Sequence, residues 1–287
     1  MVAQILNGLV WSMLLFLVAS GLTIILSTLR KINFAHGSLF MLASFFAFEF
    51  LRLVPPTLRS IWLAIIVATL VVGAVGAFIE RSLHFLGERE KVYEILLTYA
   101  YALIIYEAVH MLFGSGGKFI KTPSYLAGRV NIFSTTFPVI GFFIIVVGVS
   151  AYVGLWFFIY KTRIGLLARG ISFDEETART LGINTNRVFL FVFFLGCAVT
   201  AVGGGISGMW IPVTPYMWEL ALLQAFCIVI IGGIGSLGGA FIGSIGVGQL
   251  TSFSIMIEPR ISMVMIFIVT AIVLLVRPQG IFGREIL

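Results

Sequence analysis

The chain has 287 residues, of which 60% are hydrophobic and 10% charged, with a net charge of +6. Soluble domains carry about 25% charged residues, so a water-soluble fold is excluded, and a mean hydropathy of +1.12 agrees. The positive balance reads as basic residues flanking membrane spans rather than as a nucleic-acid surface.

The first apolar run, Ile5 to Leu29, meets no charge before Arg30 and is long enough to span a bilayer. It differs from a cleavable leader, which opens on positive charge and has a shorter apolar core, and is expected to stay in the mature protein. Further apolar runs follow at 37–54, 61–79, 92–113, 138–160, 188–211, 220–234, 236–253 and 261–276. In lipid every backbone polar group must be bonded internally, so these runs predict helices. The fold class is an all-α transmembrane bundle of eight or nine spans, forming one transmembrane domain over 1–287. The stretch 220–253 can be two spans, one long span or a re-entrant pair, because Gly232, Gly233, Gly235, Gly238 and Gly239 sit at its middle.

Lysine and arginine set the orientation. With the N-terminus outside and nine spans, 12 of the 18 cations lie inside: Arg30, Lys31, Arg81, Arg89, Lys91, Lys161, Arg163, Arg169, Arg179, Arg187, Arg277 and Arg284. The other six, Arg52, Arg59, Lys118, Lys121, Arg129 and Arg260, lie outside. The Gly/Ser/Thr-rich segment 114–137 is then external, and 161–187 is cytoplasmic. Only the second reads as an ordered polar element.

Within 161–187, a short helix starts near Ser172 or Phe173, with Asp174, Glu175 and Glu176 at the end where the helix dipole favours acids. Ala178 and Gly182 stand four apart on one expected face, and Gly182 is also a plausible helix end. A small-residue face lets another protein approach closely; an amphipathic connector between spans is the alternative.

The glycines of the second half invite two readings. Gly233, Gly235 and Gly238 fit a dinucleotide-binding spacing, but that motif needs a preceding strand and a βαβ unit, whereas apolar helical runs flank it here. Close helix packing is the better account: Gly235, Gly239 and Gly243 recur every four residues, as do Gly196, Thr200, Gly204 and Gly208. A break at 232–239 could also expose backbone to a transport path. Gly-Ser-Leu occurs at both 37–39 and 235–237, a weak hint of an internal repeat.

Asn7, Asn33, His36, Glu49, Glu94, Glu107, His110 and Glu219 lie in or at the ends of apolar runs, where ionisable groups tend to face the bundle interior. Glu107 and His110 are helix neighbours that could pair, but both approach the outer end of their span, and interfacial placement is the better account. Asn33 and His36, beside Arg30 and Lys31, are expected to anchor the second span at its cytoplasmic end. Cys197 and Cys227 read as small packing residues. No nucleophile–base constellation, metal spacing or cofactor motif stands out, so catalysis has no support and no cofactor is expected.

The run GLLARGISFDEETARTLGIN resembles the loop by which importer permeases of the ATP-binding-cassette class dock onto their ATPases. The resemblance rests on Gly165, Ala168, Arg169, Ala178 and Gly182. QILNGLVWSMLLFLVASGLTIIL, RKINFAHGSLFMLASF, IIGGIGSLGGAFIGS and LLVRPQGIFG also resemble, in order, segments of the branched-chain amino acid permease family. Residues 81–91 lack the proline-containing basic turn often seen there. The resemblance implies a bacterial inner-membrane permease subunit without ATPase chemistry of its own. It implies as partners separate ATPase subunits, a second homologous permease or another copy of this chain, and an external substrate-binding protein, with surrounding lipid and no nucleic acid. Branched-chain or related amino acids are the implied cargo, with urea and short amides carried by related systems. An ion-coupled carrier using Glu107 and His110 is the alternative.

Overall fold

The computed structural model describes residues 1–55, 57–86, 91–132 and 135–283. Its elements in chain order are α1 (Val2–Leu29), α2 (His36–Leu53), α3 (Leu58–Leu86), α4 (Lys91–Phe113), β1 (Arg129–Ile132), β2 (Thr135–Pro138), α5 (Val139–Lys161), α6 (Arg163–Phe173), α7 (Glu175–Thr180), α8 (Thr185–Ser207), α9 (Met217–Gly232), α10 (Leu237–Ile257) and α11 (Pro259–Val276). Each apolar run of the sequence has become a helix. Six of them, α1, α3, α4, α5, α8 and α10, are long and apolar enough to cross a membrane unaided. The stretch 220–253 forms two helices, α9 and α10, joined by a tight turn.

Helix α1 is the axis of the bundle. It is apolar on all sides, as a helix surrounded by others must be, and 83% of its most apolar stretch is buried. It packs against α10, α8, α9 and α5. Small residues let the backbones close: a side chain on Gly248 of α10 would strike Ser12 and the Gly8 carbonyl, and Gly21 and Gly196 abut between α1 and α8. Without a hydrophobic driving force between helices in lipid, such close van der Waals contact is a main source of association.

The helix ends gather at two rims. At one, the Arg30 guanidinium donates to the Ser172 carbonyl at 3.1 Å, Asn186 Nδ2 lies 3.3 Å from His84 Nε2, and Gly235 packs on Ser27. At the other, Lys118 and Val213 exchange backbone bonds of 3.0 and 2.8 Å, and Ser252 Oγ donates to the Gln4 carbonyl at 2.7 Å. Helix α5 separates 114–137 from 161–187, so the two loops lie at opposite rims, the grouping that the cation count predicts. Of those cations, Arg89 and Arg284 lie outside the described residues.

The loop 114–137 is more ordered than its composition suggests. Strands β1 and β2 pair antiparallel, with Arg129 opposite Pro138 and Val130 opposite Phe137. The segment before them is tied to 208–213 by the Lys118–Val213 bridge and by Ile120 N donating to the Gly208 carbonyl at 3.1 Å.

The α9–α10 turn is built on Gly233 (φ 93°) and Gly235 (φ 86°), conformations that side chains resist. Ser236 caps α10, its hydroxyl accepting from Gly239 N at 3.0 Å. The last carbonyls of α9 do not go unpaired: Ile281 N donates to Ile231 O at 2.8 Å and Phe282 N to Gly232 O at 3.1 Å. The residues after α11 thus supply the partners that a helix C-terminus lacks.

Candidate transport pathway and coupling surface

The polar element between α5 and α8 is a pair of short helices with a defined cap at each junction. Thr162 caps α6, its hydroxyl accepting from Gly165 N at 3.1 Å. Asp174 closes α6 through its N–H to Gly170 O, 3.1 Å, and starts α7 by accepting from Thr177 N at 3.0 Å. The Thr177 hydroxyl and amide hold the Asp174 carboxyl below its usual range. The helix therefore starts at Asp174, not at Ser172 or Phe173: both belong to α6, Phe173 carries no acceptor, and the Ser172 hydroxyl is turned back to the Arg169 carbonyl at 2.8 Å. At the far end, Gly182 (φ 79°) donates to Arg179 O and Ile183 N to Ala178 O, 3.0 and 3.1 Å. This is the left-handed glycine stop that the sequence suggests.

Placement of the coupling candidates divides them. Gly165 is wedged on the Phe158 and Ile159 carbonyls of α5, and Ala168 and Ala178 are buried. These three hold the element to the bundle. Arg169 is exposed, its guanidinium 5.2 Å from the Tyr160 ring centre, and Gly182 faces open space. Ala178 and Gly182 do not share a helical face, since α7 ends at Thr180. What the element offers outward is apolar: Phe173 is 91% exposed, Leu181 75% and Leu166 61%. Sequence reasoning missed these three by following small residues. The available signal was large apolar side chains set among charges.

The segment after α1 behaves unexpectedly. Arg30 adopts a left-handed conformation (φ 54°), stopping α1, and the chain then turns back into the bundle. His36 Nε2 lies 2.9 Å from the Val18 carbonyl, and Val18 is about 16 Å along α1 from Leu29. Thr200 Oγ1 lies 2.8 Å from the same nitrogen. A carbonyl only accepts, so Nε2 carries the hydrogen, and the Thr200 hydroxyl donates to Gly196 O at 3.1 Å. Helix α2 thus begins deep in the bundle, not at the cytoplasmic end where Asn33 and His36 were expected to anchor it. Both residues are fully buried, and Asn33 Nδ2 and His36 Nδ1 have no partner among the described residues. Irregular backbone at such depth is tolerated where protein surrounds it or a cavity is lined.

The same segment ties the bundle together. Lys31 Nζ lies 3.0 Å from Glu80 Oε1 of α3, and Phe34 N donates to Thr98 Oγ1 of α4 at 3.2 Å. The start of α2 meets the start of α9, where Gly37 is pressed on the Trp218 carbonyl and Leu222. Trp218 in turn lies 6.4 Å from Tyr99 and 6.1 Å from Tyr106 of α4, ring centre to ring centre. Helices α2 and α9 therefore both begin inside the bundle, with their starts in contact.

The glycine candidates do distinct work. Gly204 of α8 lies on the Phe40 carbonyl and Ala43 of α2, and Gly239 of α10 lies on the Gly232 carbonyl of α9. Gly243 packs on Ile231, a side chain there coming within 3.3 Å of its methyl. Gly208, just beyond α8, packs on Ile120 and Val213. Gly235 is a turn residue. His110 stacks on Tyr106 at 5.8 Å, and among the described residues no ion pair joins it to Glu107. Cys197 and Cys227 are free and buried.

These features define a multi-pass membrane protein of packed apolar helices with an ordered polar helix pair between two of its spans. The fold is shared with PsaBC from Streptococcus pneumoniae, solved in complex with Fab, at a TM-score of 0.53 and 13% identity over 96% of this chain and 92% of that one. The family model described as "Branched-chain amino acid transport system / permease component" matches residues 4–274. The chain belongs to this permease family. It is 31% identical to the high-affinity branched-chain amino acid transport system permease protein LivH of Escherichia coli K12, over 98% of this chain and 95% of that one. BraD of Pseudomonas aeruginosa is 30% identical over the same shares. A probable LivH of Methanocaldococcus jannaschii is 28% identical over 98% and 93%.

Proposed function

We propose that the chain is the membrane-spanning subunit of an ATP-driven importer carrying branched-chain or related amino acids, with urea and short amides as the neighbouring substrate classes. It sits in the inner membrane of a bacterium. Separate ATPase subunits grip α6 and α7, a second permease, another copy or a homologue, stands beside it, and an external binding protein delivers the cargo. The observation that carries this reading is the docking element. Three large apolar side chains, Leu166, Phe173 and Leu181, point outward from a capped helix pair that buried Gly165, Ala168 and Ala178 fasten to the bundle. Exposed apolar groups on a rigid polar element mark a protein contact. An ion-coupled carrier has no use for such a surface, and among the described residues no ion pair joins Glu107 to His110.

The test is purification of the complex through a tag on this chain, followed by reconstitution into vesicles with ATP inside. Copurifying ATPases and uptake of labelled leucine that stops with vanadate and survives an uncoupler are expected. Uptake that survives vanadate and stops with the uncoupler would establish the ion-coupled alternative.

A further inference from the structure

Helix α4 is the least covered of the six long apolar helices, with 17% of its most apolar stretch buried against 83% for α1. Its open side continues onto the first turn of α9. That face is not apolar. Glu107 and Glu219 are both exposed, next in sequence to Tyr106 of α4 and Trp218 of α9, whose rings lie 6.1 Å apart. Glu219 stands about 20 Å along α9 from the cytoplasmic end at Gly232, well inside a hydrocarbon layer of about 30 Å. An ionisable group at that depth faces protein or water, not lipid. The face therefore looks onto a partner subunit or an aqueous path.

Two further observations point to a ligand with a positive group, and a third to an oxygen acceptor on the same ligand. Among the described residues the ion pairs are Lys31–Glu80, Arg52–Glu49 and Arg179–Glu175, so neither Glu107 nor Glu219 has a cation of its own. Aromatic rings stand with them: Tyr106 lies 6.2 Å from Tyr216 and 6.1 Å from Trp218, and Tyr99 lies 6.4 Å from Trp218. Ring faces attract cations and accept apolar side chains. Trp218 is 4% exposed, and its indole N–H has no acceptor. That donor calls for an anionic or carbonyl oxygen.

We propose that the α4–α9 face is a substrate-contacting wall of the translocation path, where Glu219 takes the ammonium of a passing amino acid, Trp218 Nε1 its carboxylate, and Tyr99 and Tyr106 its apolar side chain. The proposal rests on the reading of the chain as an amino acid importer subunit, and it names the site that this reading leaves open. A zwitterion with an apolar side chain satisfies all three groups at once, while urea, having no cationic group, satisfies fewer.

The test uses the purified complex in vesicles. Glu219→Gln keeps the volume and removes the charge. Normal assembly with the copurifying ATPases is expected, with leucine uptake lowered roughly tenfold to hundredfold, the cost of losing a charged hydrogen bond, and partly restored by Glu219→Asp. Unchanged uptake in Glu219→Gln overturns the proposal. If the variants fail to assemble, the wild-type complex decides: a photoreactive leucine analogue, trapped during turnover, should label peptides of α4 and α9. Labelling confined to other helices overturns it. A wild-type complex with no ATP-dependent uptake would sink the importer reading itself, a different outcome from a complex that transports but ignores Glu219.

Discussion

The Lys31 ammonium stands 3.0 Å from the Glu80 carboxylate, and the two side chains are 16% and 4% exposed. Glu80 Oε2 has no other partner among the described residues, so the pair depends on this one contact. Removing one member of a buried pair typically costs 3–5 kcal/mol, because the other charge is stranded. Lys31→Met is therefore expected to lower the thermal stability of the detergent-solubilised protein markedly, and Lys31→Met with Glu80→Gln to recover most of it. Equal melting of the single and double variants would show that the pair does not matter.

The docking element gives a sharper test than small-residue spacing alone. Phe173→Asp removes an exposed apolar group without disturbing any internal contact. It should abolish copurification of the ATPases while leaving expression and melting unchanged. Gly182→Trp meets no internal atom but must hold φ 79°, a strain of about 1 kcal/mol. It too should block docking. Ala178→Trp should instead unseat α7, because Ala178 is buried. Hydrogen exchange across 175–183 separates the two modes of failure.

Asp174 ties the element's stability to pH in a predictable direction. Its carboxyl is held below the usual carboxylate range by the Thr177 hydroxyl and amide. A group with a depressed folded-state pKa stabilises above its unfolded value, about 3.9, and loses that contribution as pH falls through the folded value. Exchange protection of α7 should accordingly be flat from about pH 5.5 to 8. Asp174→Ala should lower it across that whole window, and Asp174→Asn, which still caps, should restore it. A titration of protection within the window would implicate another group.

Orientation is checked by cysteine labelling from outside in intact cells. Ser124→Cys should be labelled and Asp174→Cys should not, and the native Cys197 and Cys227 are buried and silent. The opposite pattern would invert the bundle.

Gly239 lies on the Gly232 carbonyl, a backbone atom that cannot swing aside. Gly239→Leu should separate α9 from α10 at their turn, with an overpacking cost of about 1–3 kcal/mol read as reduced folded yield. Full yield and full uptake would show that the two helices separate freely.

The helices were legible because lipid forces an apolar run to form one, and Gly233 and Gly235 marked where 220–253 breaks. Gly182 was legible for a similar reason: a helix stop is a local event. What escaped depends on contacts far apart in the chain. Nothing near His36 says that Val18 and Thr200 will hold it, so its depth was invisible beside Arg30 and Lys31. Ala178 and Gly182 looked like one face because spacing cannot reveal that α7 stops between them. The hairpin at 129–138 was obscured by a composition common to any loop. The α4–α9 face was half visible: Glu107 and Glu219 were noticed as costly residues, but their common surface appears only once the helices pack.

The bonds from Ile281 and Phe282 to the end of α9 also impose an order of events. Helix α9 leaves the ribosome long before these two residues, with α10 and α11 synthesised in between. Until then the Ile231 and Gly232 carbonyls must find water, and the α9–α10 turn lacks its clasp. The C-terminal turn, with Gly280 pressed on Gly233, closes a loop in space between elements separated by two membrane crossings. A nascent chain stalled before that turn would expose an unfinished helix end at the rim where α9 meets α10, a state chemically distinct from the completed bundle.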